Sequence, residues 1–174
     1  MKTLAYIFLA LTLCSSCLAQ STLKDGVQTY DGKKFAITKR TSDYSGRTSI
    51  TVTVVGRFYN TRPPAPKDPY GLPVSKKDIH FDVEKVKEII NTVLASNRKE
   101  LSANKDRIAL SFAFLEQDGS IESISYFLNG NTLIGLKDIA KIDKEIKKNI
   151  KATFTGNEHT NYYLIYYGSL SLIF

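Results

Sequence analysis

The stretch Arg107-Ile-Ala-Leu-Ser-Phe112-Ala-Phe114-Leu-Glu116, then Gln117-Asp118-Gly119-Ser120, then Ile121-Glu-Ser-Ile124-Ser-Tyr-Phe-Leu128, decides the fold class. Ile108, Leu110, Phe112 and Phe114 alternate with small Ala109, Ser111 and Ala113, the period-two pattern of a strand with one buried face. The Asp-Gly pair suits a tight reversal, so residues 107–116 and 121–128 form a hairpin. Helical periodicity brackets it. Val83, Val86, Ile90, Val93, Leu94, Asn97 and Leu101 recur at three-and-four spacing, with Glu84, Lys85, Lys87 and Glu88 outside the stripe, predicting one helix of about five turns. Leu136, Ile139, Ile142 or Asp143, Ile146 and Ile150 predict another, with Lys147, Lys148 and Lys151 at its negative end and Gly156 to stop it. A final strand over 162–174 places Tyr162, Leu164, Tyr166, Leu170 and Leu172 on one side and Tyr163, Ile165, Tyr167 and Ile173 on the other. These parts make an α+β two-layer sandwich, a small antiparallel sheet with two helices on one face. Its core is expected to join Val86, Ile90, Leu94, Ile139 and Ile146 to Leu110, Phe112 and Phe114.

Upstream, residues 27–30, the turn Asp31-Gly32 and residues 33–40 read as a second hairpin. A third strand over 48–59 alternates Ile50, Val52 and Val54 with Thr51 and Thr53. Residues 20–60 are thus an N-terminal β-meander, and either it or a partner chain is expected to cover the other sheet face. All five prolines, Pro63, Pro64, Pro66, Pro69 and Pro73, fall together. They delimit a Pro-rich linker over 61–77, ahead of the α+β domain over 78–174. The composition, 43% hydrophobic and 24% charged over 174 residues, excludes collagen-like, coiled-coil and disordered classes.

Lys2, the apolar run from Leu4 to Leu13 and the small-residue exit at Ala19 have the layout of a secretory signal over 1–19, too short to span a bilayer. Cleavage leaves Gln20 as the first residue and removes Cys14 and Cys17, giving an exported protein, periplasmic or extracellular, without a disulfide. The competing reading is lipid attachment at Cys17, which would tether the chain to a membrane.

The segment from Ile108 to Ile124, with its Asp118-Gly119 turn and the following stripe over 136–150, resembles the C-terminal domain of TonB-like proteins at pattern level over residues 80–174. The leader and the Lys- and Asn-rich style also resemble small exported proteins of unknown function from Bacteroides-type bacteria. The TonB-like resemblance implies a periplasmic scaffold that recognises a peptide segment along a strand edge. The chain lacks that family's long Pro-rich spacer and the Tyr-Pro motif ahead of its first helix, so energy coupling is not implied.

The search for catalytic and metal chemistry finds little. His80, near Asp78 and Asp82, and His159, beside Glu158, lack zinc spacing; their simplest roles are capping and solvated turns. No nucleophile elbow, phosphate loop or dinucleotide fingerprint occurs, and no cofactor is expected. Glu116, Asp118 and Glu122 surround the central hairpin turn. Charge is more informative. Residues 20–60 carry seven basic and three acidic side chains, 61–77 four and one, and 78–174 twelve and thirteen. Lys33, Lys34, Lys39, Arg40, Arg47, Arg57 and Arg62 are therefore candidates for an anionic glycan, a lipid headgroup or an envelope protein, with a solvated surface as the plain alternative. Nucleic acid is not expected of an exported chain. Tyr162, Tyr163, Tyr166 and Tyr167 crowd the last strand and could stack on sugars or anchor an interface, or simply pack. The function expected is a non-enzymatic binding or protein-interaction module of the bacterial cell envelope. The alternative is a small periplasmic hydrolase or carbohydrate-processing factor using Glu116 and Glu122.

Overall fold

A computed structural model describes residues 23–174 of the chain. The leader over 1–19, the cut between Ala19 and Gln20, and Cys14 and Cys17 lie outside the described residues. The elements in chain order are β1 (Gly26–Tyr30), β2 (Lys33–Thr41), β3 (Thr48–Val54), β4 (Ile79–His80), α1 (Val83–Val93), α2 (Arg98–Ala103), β5 (Arg107–Leu115), β6 (Ile121–Asn129), α3 (Leu136–Asn149), β7 (Thr153–Phe154) and β8 (Leu164–Ile173). Six strands form one antiparallel sheet in the order β1-β2-β3-β6-β5-β8, while β4 and β7 make a separate two-stranded ribbon. The meander does not cover the second face. It lengthens the sheet, because β3 pairs with β6 through Ser49↔Asn129 to Thr53↔Ser125.

Both hairpins form as the sequence predicts. Asp31 at φ 49° and Gly32 at φ 72° give the two-residue reversal between Tyr30 and Lys33. In the central hairpin the Asp118 carboxylate accepts bonds from the backbone and hydroxyl of Ser120 at 3.0 and 2.6 Å, and these bonds lower its pKa. Gly119 sits at φ 68°, and an added Cβ would lie 1.8 Å from the Ala152 carbonyl oxygen. Glycine is required there on both counts.

One face collects the large side chains. Phe35, Val52, Tyr126, Leu110, Phe112 and Phe114 are all buried on it, and all eight expected core residues are buried. The helices meet this face. Phe81, just before α1, packs on Phe112 and Phe114 with both centroid distances at 5.3 Å, and α3 reaches Tyr126 through Asp143. The opposite face is built from Ala36, Thr38, Thr51, Thr53, Ser123, Ser125, Ser111 and Ala113, small residues that alternate with the core positions.

Several expectations are corrected. The five-turn helix is two helices separated by a 3-10 turn over Ala95–Asn97, making three α-helices among the described residues. Leu94 leaves helical geometry at φ −94°, ψ 6°, and Ser96 and Asn97 are weak helix formers. The third strand stops at Val54, where Gly56 and Arg57 leave the sheet in a turn closed by Tyr59 N–H to Gly56 at 3.2 Å. Gly156 does not end α3; Ile150 does so by turning extended, at φ −116°. The unbroken alternation assigned to the last strand also fails, since Leu110↔Leu170 is followed by Phe112↔Tyr167. Gly168 and Ser169 together oppose Ser111, a β-bulge that shifts the phase. Ile165, Tyr167, Leu170 and Leu172 consequently share the helix-covered face, while Leu164, Tyr166, Ser171 and Ile173 share the other.

The proline-rich segment is fastened along its length. Asn161 accepts from Asp68 N–H at 2.5 Å and donates to the Asp68 carbonyl at 2.8 Å, and its own carbonyl accepts from Lys67 N–H at 2.9 Å. Tyr162 donates its hydroxyl to the Leu72 carbonyl at 3.1 Å. This proline strap runs beside the open face.

Candidate functional site

Where β3 ends, the chain rises from the sheet and encloses a groove of about 310 Å³ on the open face. Its floor is Ala36 and Thr38 of β2, Thr51 and Thr53 of β3, and Ser123 of β6. Its walls are Gly56, Phe58, Tyr59 and Pro63 on one side and Leu164 and Tyr166 on the other. Threonine and serine favour this place for two reasons: β-branching suits a strand, and the short side chains leave depth above the backbone. Thr53 and Ser125 bond to each other at 3.0 Å. Among the described residues, the hydroxyls of Thr38, Thr51 and Ser123 take no protein partner.

One charged knot secures the wall. Arg57 donates to Glu122 at 2.9 Å and to the Tyr163 hydroxyl at 2.9 Å. Its guanidinium lies over the Phe58 ring at 5.3 Å and the Tyr163 ring at 5.9 Å, and these two rings meet edge to face at 5.6 Å. The hydrogen bond to Glu122, then its charge, raises the Arg57 pKa above its ordinary value. Glu122 reaches the knot because β6 carries its own bulge. Ala113↔Ser123 is followed by Phe114↔Ile121, so Glu122 is the extra residue and stands beside Ser123 on the open face.

Among the four tyrosines singled out in the sequence, only Tyr166 presents its ring at the groove rim, 63% exposed. Tyr163 buttresses Arg57, and Tyr162 ties the strap. Tyr167 packs under the helix side, 4.8 Å from Phe81 and below Lys76 at 4.6 Å. The basic residues do not converge either. Lys34 and Arg40 lie on the open side of β2, whereas Lys33 and Lys39 lie on the helix side. Lys33 bonds Asp143 at 3.1 Å, and Lys39 donates its backbone N–H to Asp25 at 2.8 Å.

The carboxylates of the central hairpin point to separate partners. Glu116 meets His159 at 3.2 Å and also lines a second recess with Pro64, Lys67, Tyr162 and Tyr163. Glu122 belongs to the groove. Adjacent prolines of the strap, Pro63 and Pro64, line one cavity each. His80 bonds Thr155 at 3.2 Å in the β4–β7 ribbon, and Asp82 caps α1 by accepting from Lys85 N–H at 2.8 Å. No group of three or more metal-ligating side chains occurs among the described residues, nor does a helix long and apolar enough to cross a membrane.

Sequence reasoning missed the Arg57 knot, the Asn161 clamp and the buried Asp143 cluster. Gly56 followed by Arg57-Phe58-Tyr59 at the end of a β-branched run was the one signal for the wall; a lone Asn gives none.

No protein-family model matches the sequence, and no curated protein matches it. Among solved structures, the chain is similar in fold to the crystal structure of a DUF5043 family protein from Bacteroides uniformis, with a TM-score of 0.56 and 11% sequence identity. The match covers 89% of this chain and 88% of that one. At this identity the likeness concerns the fold alone.

Proposed function

We propose that the chain is an exported, non-enzymatic binding module of the bacterial cell envelope, with Gln20 as its processed N-terminus and the open-face groove as its ligand site. On this reading the scaffold is a two-layer one of the TonB C-terminal kind, extended by the meander. The observation that carries it is the groove itself: a concave floor of hydroxyls with an aromatic rim and a wall held by the Arg57 knot. Its volume of about 310 Å³ falls at the small end of the range of about 300–1,000 Å³ typical of ligand sites. The hydrolase alternative needs two carboxylates facing one substrate, and Glu116 and Glu122 instead line different cavities with different partners.

A second reading, strand addition at an edge, is favoured by β8. It is an edge strand of ten residues with neither charge nor proline, two of the devices that blunt an edge, and its pairing is interrupted at one place, the Gly168–Ser169 bulge.

Amide NMR of the purified protein, titrated with the low-molecular-weight fraction of an envelope extract, tests both readings. Shifts centred on Thr38, Thr51, Ser123 and Tyr166 support the groove, and shifts along Leu164–Ile173 with a peptide fraction support the edge. Turnover of the added material, or shifts confined to the helix-covered side, would overturn the proposal. Intact-mass measurement of envelope fractions tests the address: a chain beginning at Gln20 is expected, and a lipid mass on Cys17 would replace it with the tethered form.

A further inference from the structure

We infer that the groove takes a neutral, polyhydroxylated ligand, a segment of uncharged glycan, in preference to an anionic or an apolar one. The inference rests on the groove being the binding site and adds the chemistry of what fills it. The first argument is charge. Glu122 is the one acidic or basic side chain in the lining, and Arg57 already holds it at 2.9 Å. An anion entering the groove meets a carboxylate whose cation is taken, and a cation must displace a guanidinium fixed by Glu122, Phe58 and Tyr163. Within the lining neither gains an unpaired counter-charge, the open-side Lys34 and Arg40 standing outside it.

Hydrogen-bonding capacity gives the second argument. Thr38, Thr51 and Ser123 bring hydroxyls without protein partners, each able to donate and accept. Sugar hydroxyls have the same dual character and use both capacities, whereas an acceptor-only phosphate or carboxylate uses one. An apolar ligand would strip water from these groups and return nothing.

The third argument is the rim. Tyr59 and Tyr166 stand 43% and 63% exposed at the edges of the floor. A tyrosine ring is a rigid, amphipathic surface with an apolar face for the C–H side of a sugar ring and a hydroxyl that stays wet. Aromatic rim and hydroxyl floor are held apart by Arg57 on the wall side and by the backbone of β8 on the other, so the arrangement exists before any ligand arrives.

The test uses the purified protein with three neutral probes, the hexasaccharides of cellulose, mannan and chitin, and one acidic probe, the hexamer of galacturonic acid. Binding is measured by calorimetry and mapped by amide NMR. The expected result is binding of at least one neutral probe, unchanged between low and high salt, with shifts at Thr38, Thr51 and Ser123. Tyr166→Ala, at an exposed ring, and Thr51→Val, which keeps the β-branched shape, should each weaken it by about tenfold, equivalent to roughly 1.4 kcal/mol, with the thermal midpoint unchanged. Lys34→Glu, outside the lining, should leave it unchanged. Binding of the acidic probe alone, weakened by salt, would overturn the ligand class, as would binding of none of the four. If groove amides nevertheless shift with the envelope fraction, the groove survives as a site and only the ligand class falls. Neutral-probe binding that maps away from the groove would sink both.

Discussion

Replacing Asp143 by Ala probes a charge that the fold has placed inside the core. Its carboxylate is fully buried where β2, β6 and α3 converge, 3.1 Å from the Lys33 ammonium, 3.5 Å from that of Lys147 and 3.5 Å from the Tyr126 hydroxyl. Truncation acts unevenly on these partners. The lysine side chains are 41% and 26% exposed, so their ammonium groups swing out to water at little cost. Tyr126 is sealed in, and its hydroxyl loses its acceptor at a cost of about 1–3 kcal/mol. The methyl-scale void adds about 1 kcal/mol, for a total loss of about 2–4 kcal/mol. Lys33→Met should cost less, about 1.5–3 kcal/mol, because Lys147 and Tyr126 still hold the carboxylate. The double variant should fall short of the sum by about 0.5–3 kcal/mol, the coupling expected of groups in contact. Asp143→Leu combined with Tyr126→Phe should recover much of the stability, since an apolar replacement removes both the buried charge and the orphaned hydroxyl. Urea unfolding followed by far-ultraviolet circular dichroism reads all of these, the chain having no Trp to report by fluorescence. A loss below about 0.5 kcal/mol for Asp143→Ala, or strict additivity with Lys33→Met, would refute the four-residue cluster around Asp143.

Phe112→Ala, at a fully buried ring between Phe81 and Phe114, should cost about 3–5 kcal/mol in the same assay, and a surface-like loss would mean the strand face is misassigned. Gly119→Ala meets both a left-handed backbone and the Ala152 carbonyl, so a loss of at least about 1–3 kcal/mol is expected, with the hairpin amides as the NMR readout. Burial first, and then the charge of Asp143, raise the Tyr126 pKa well above its ordinary 10.0. The folded state therefore keeps a proton that the unfolded chain gives up, so this contribution to stability is intact below pH 10 and declines as pH rises beyond it. Tyr126→Phe should make the fall in urea midpoint above that pH shallower, and an identical slope in both proteins would count against the assignment.

Much of the architecture was legible because two simple periods carry it. The Asp-Gly turns mark both hairpins, and the apolar stripes of α1 and α3 name most of their buried residues, missing Ile89 and Ala140 and including the half-buried Val83 and Val93. The break after Val93 was hidden for a physical reason: a 3-10 turn advances by three residues, one of the spacings that keep an apolar stripe on one face, so Leu94 and Leu101 stay buried although the hydrogen-bond ladder changes. Asp143 was ambiguous for a related reason. Ile142 and Asp143 both fall on the inward side of α3, and only the nearby Lys33 and Tyr126 make a charge tolerable there. The joining of β3 to β6 had no local signal, since both sequences alternate without specifying a neighbour.

The candidate site was illegible for a stricter reason, and it follows from the period of two. One extra residue in a strand reverses the face of everything beyond it. Strand β5, next to the β8 edge, has such an irregularity opposite it on each side, Glu122 on β6 and the Gly168–Ser169 pair on β8. Unbroken alternation from Ile124 would send Glu122 to the helix-covered side, where a carboxylate would sit among Phe114 and its neighbours with no partner. The β6 bulge places it beside Ser123, within reach of Arg57, and so gives the wall its anchor. The β8 bulge puts Tyr166 and the leucines beyond it on opposite faces: Tyr166 remains on the open face while Leu170 and Leu172 return to the core beside Tyr167. Without that shift, burying the two leucines would also draw Tyr166 under the helices, and the groove would lose its rim. The features that make the open face a site are therefore departures from regular pairing, and they become visible only when both neighbours of β5 are in register with it.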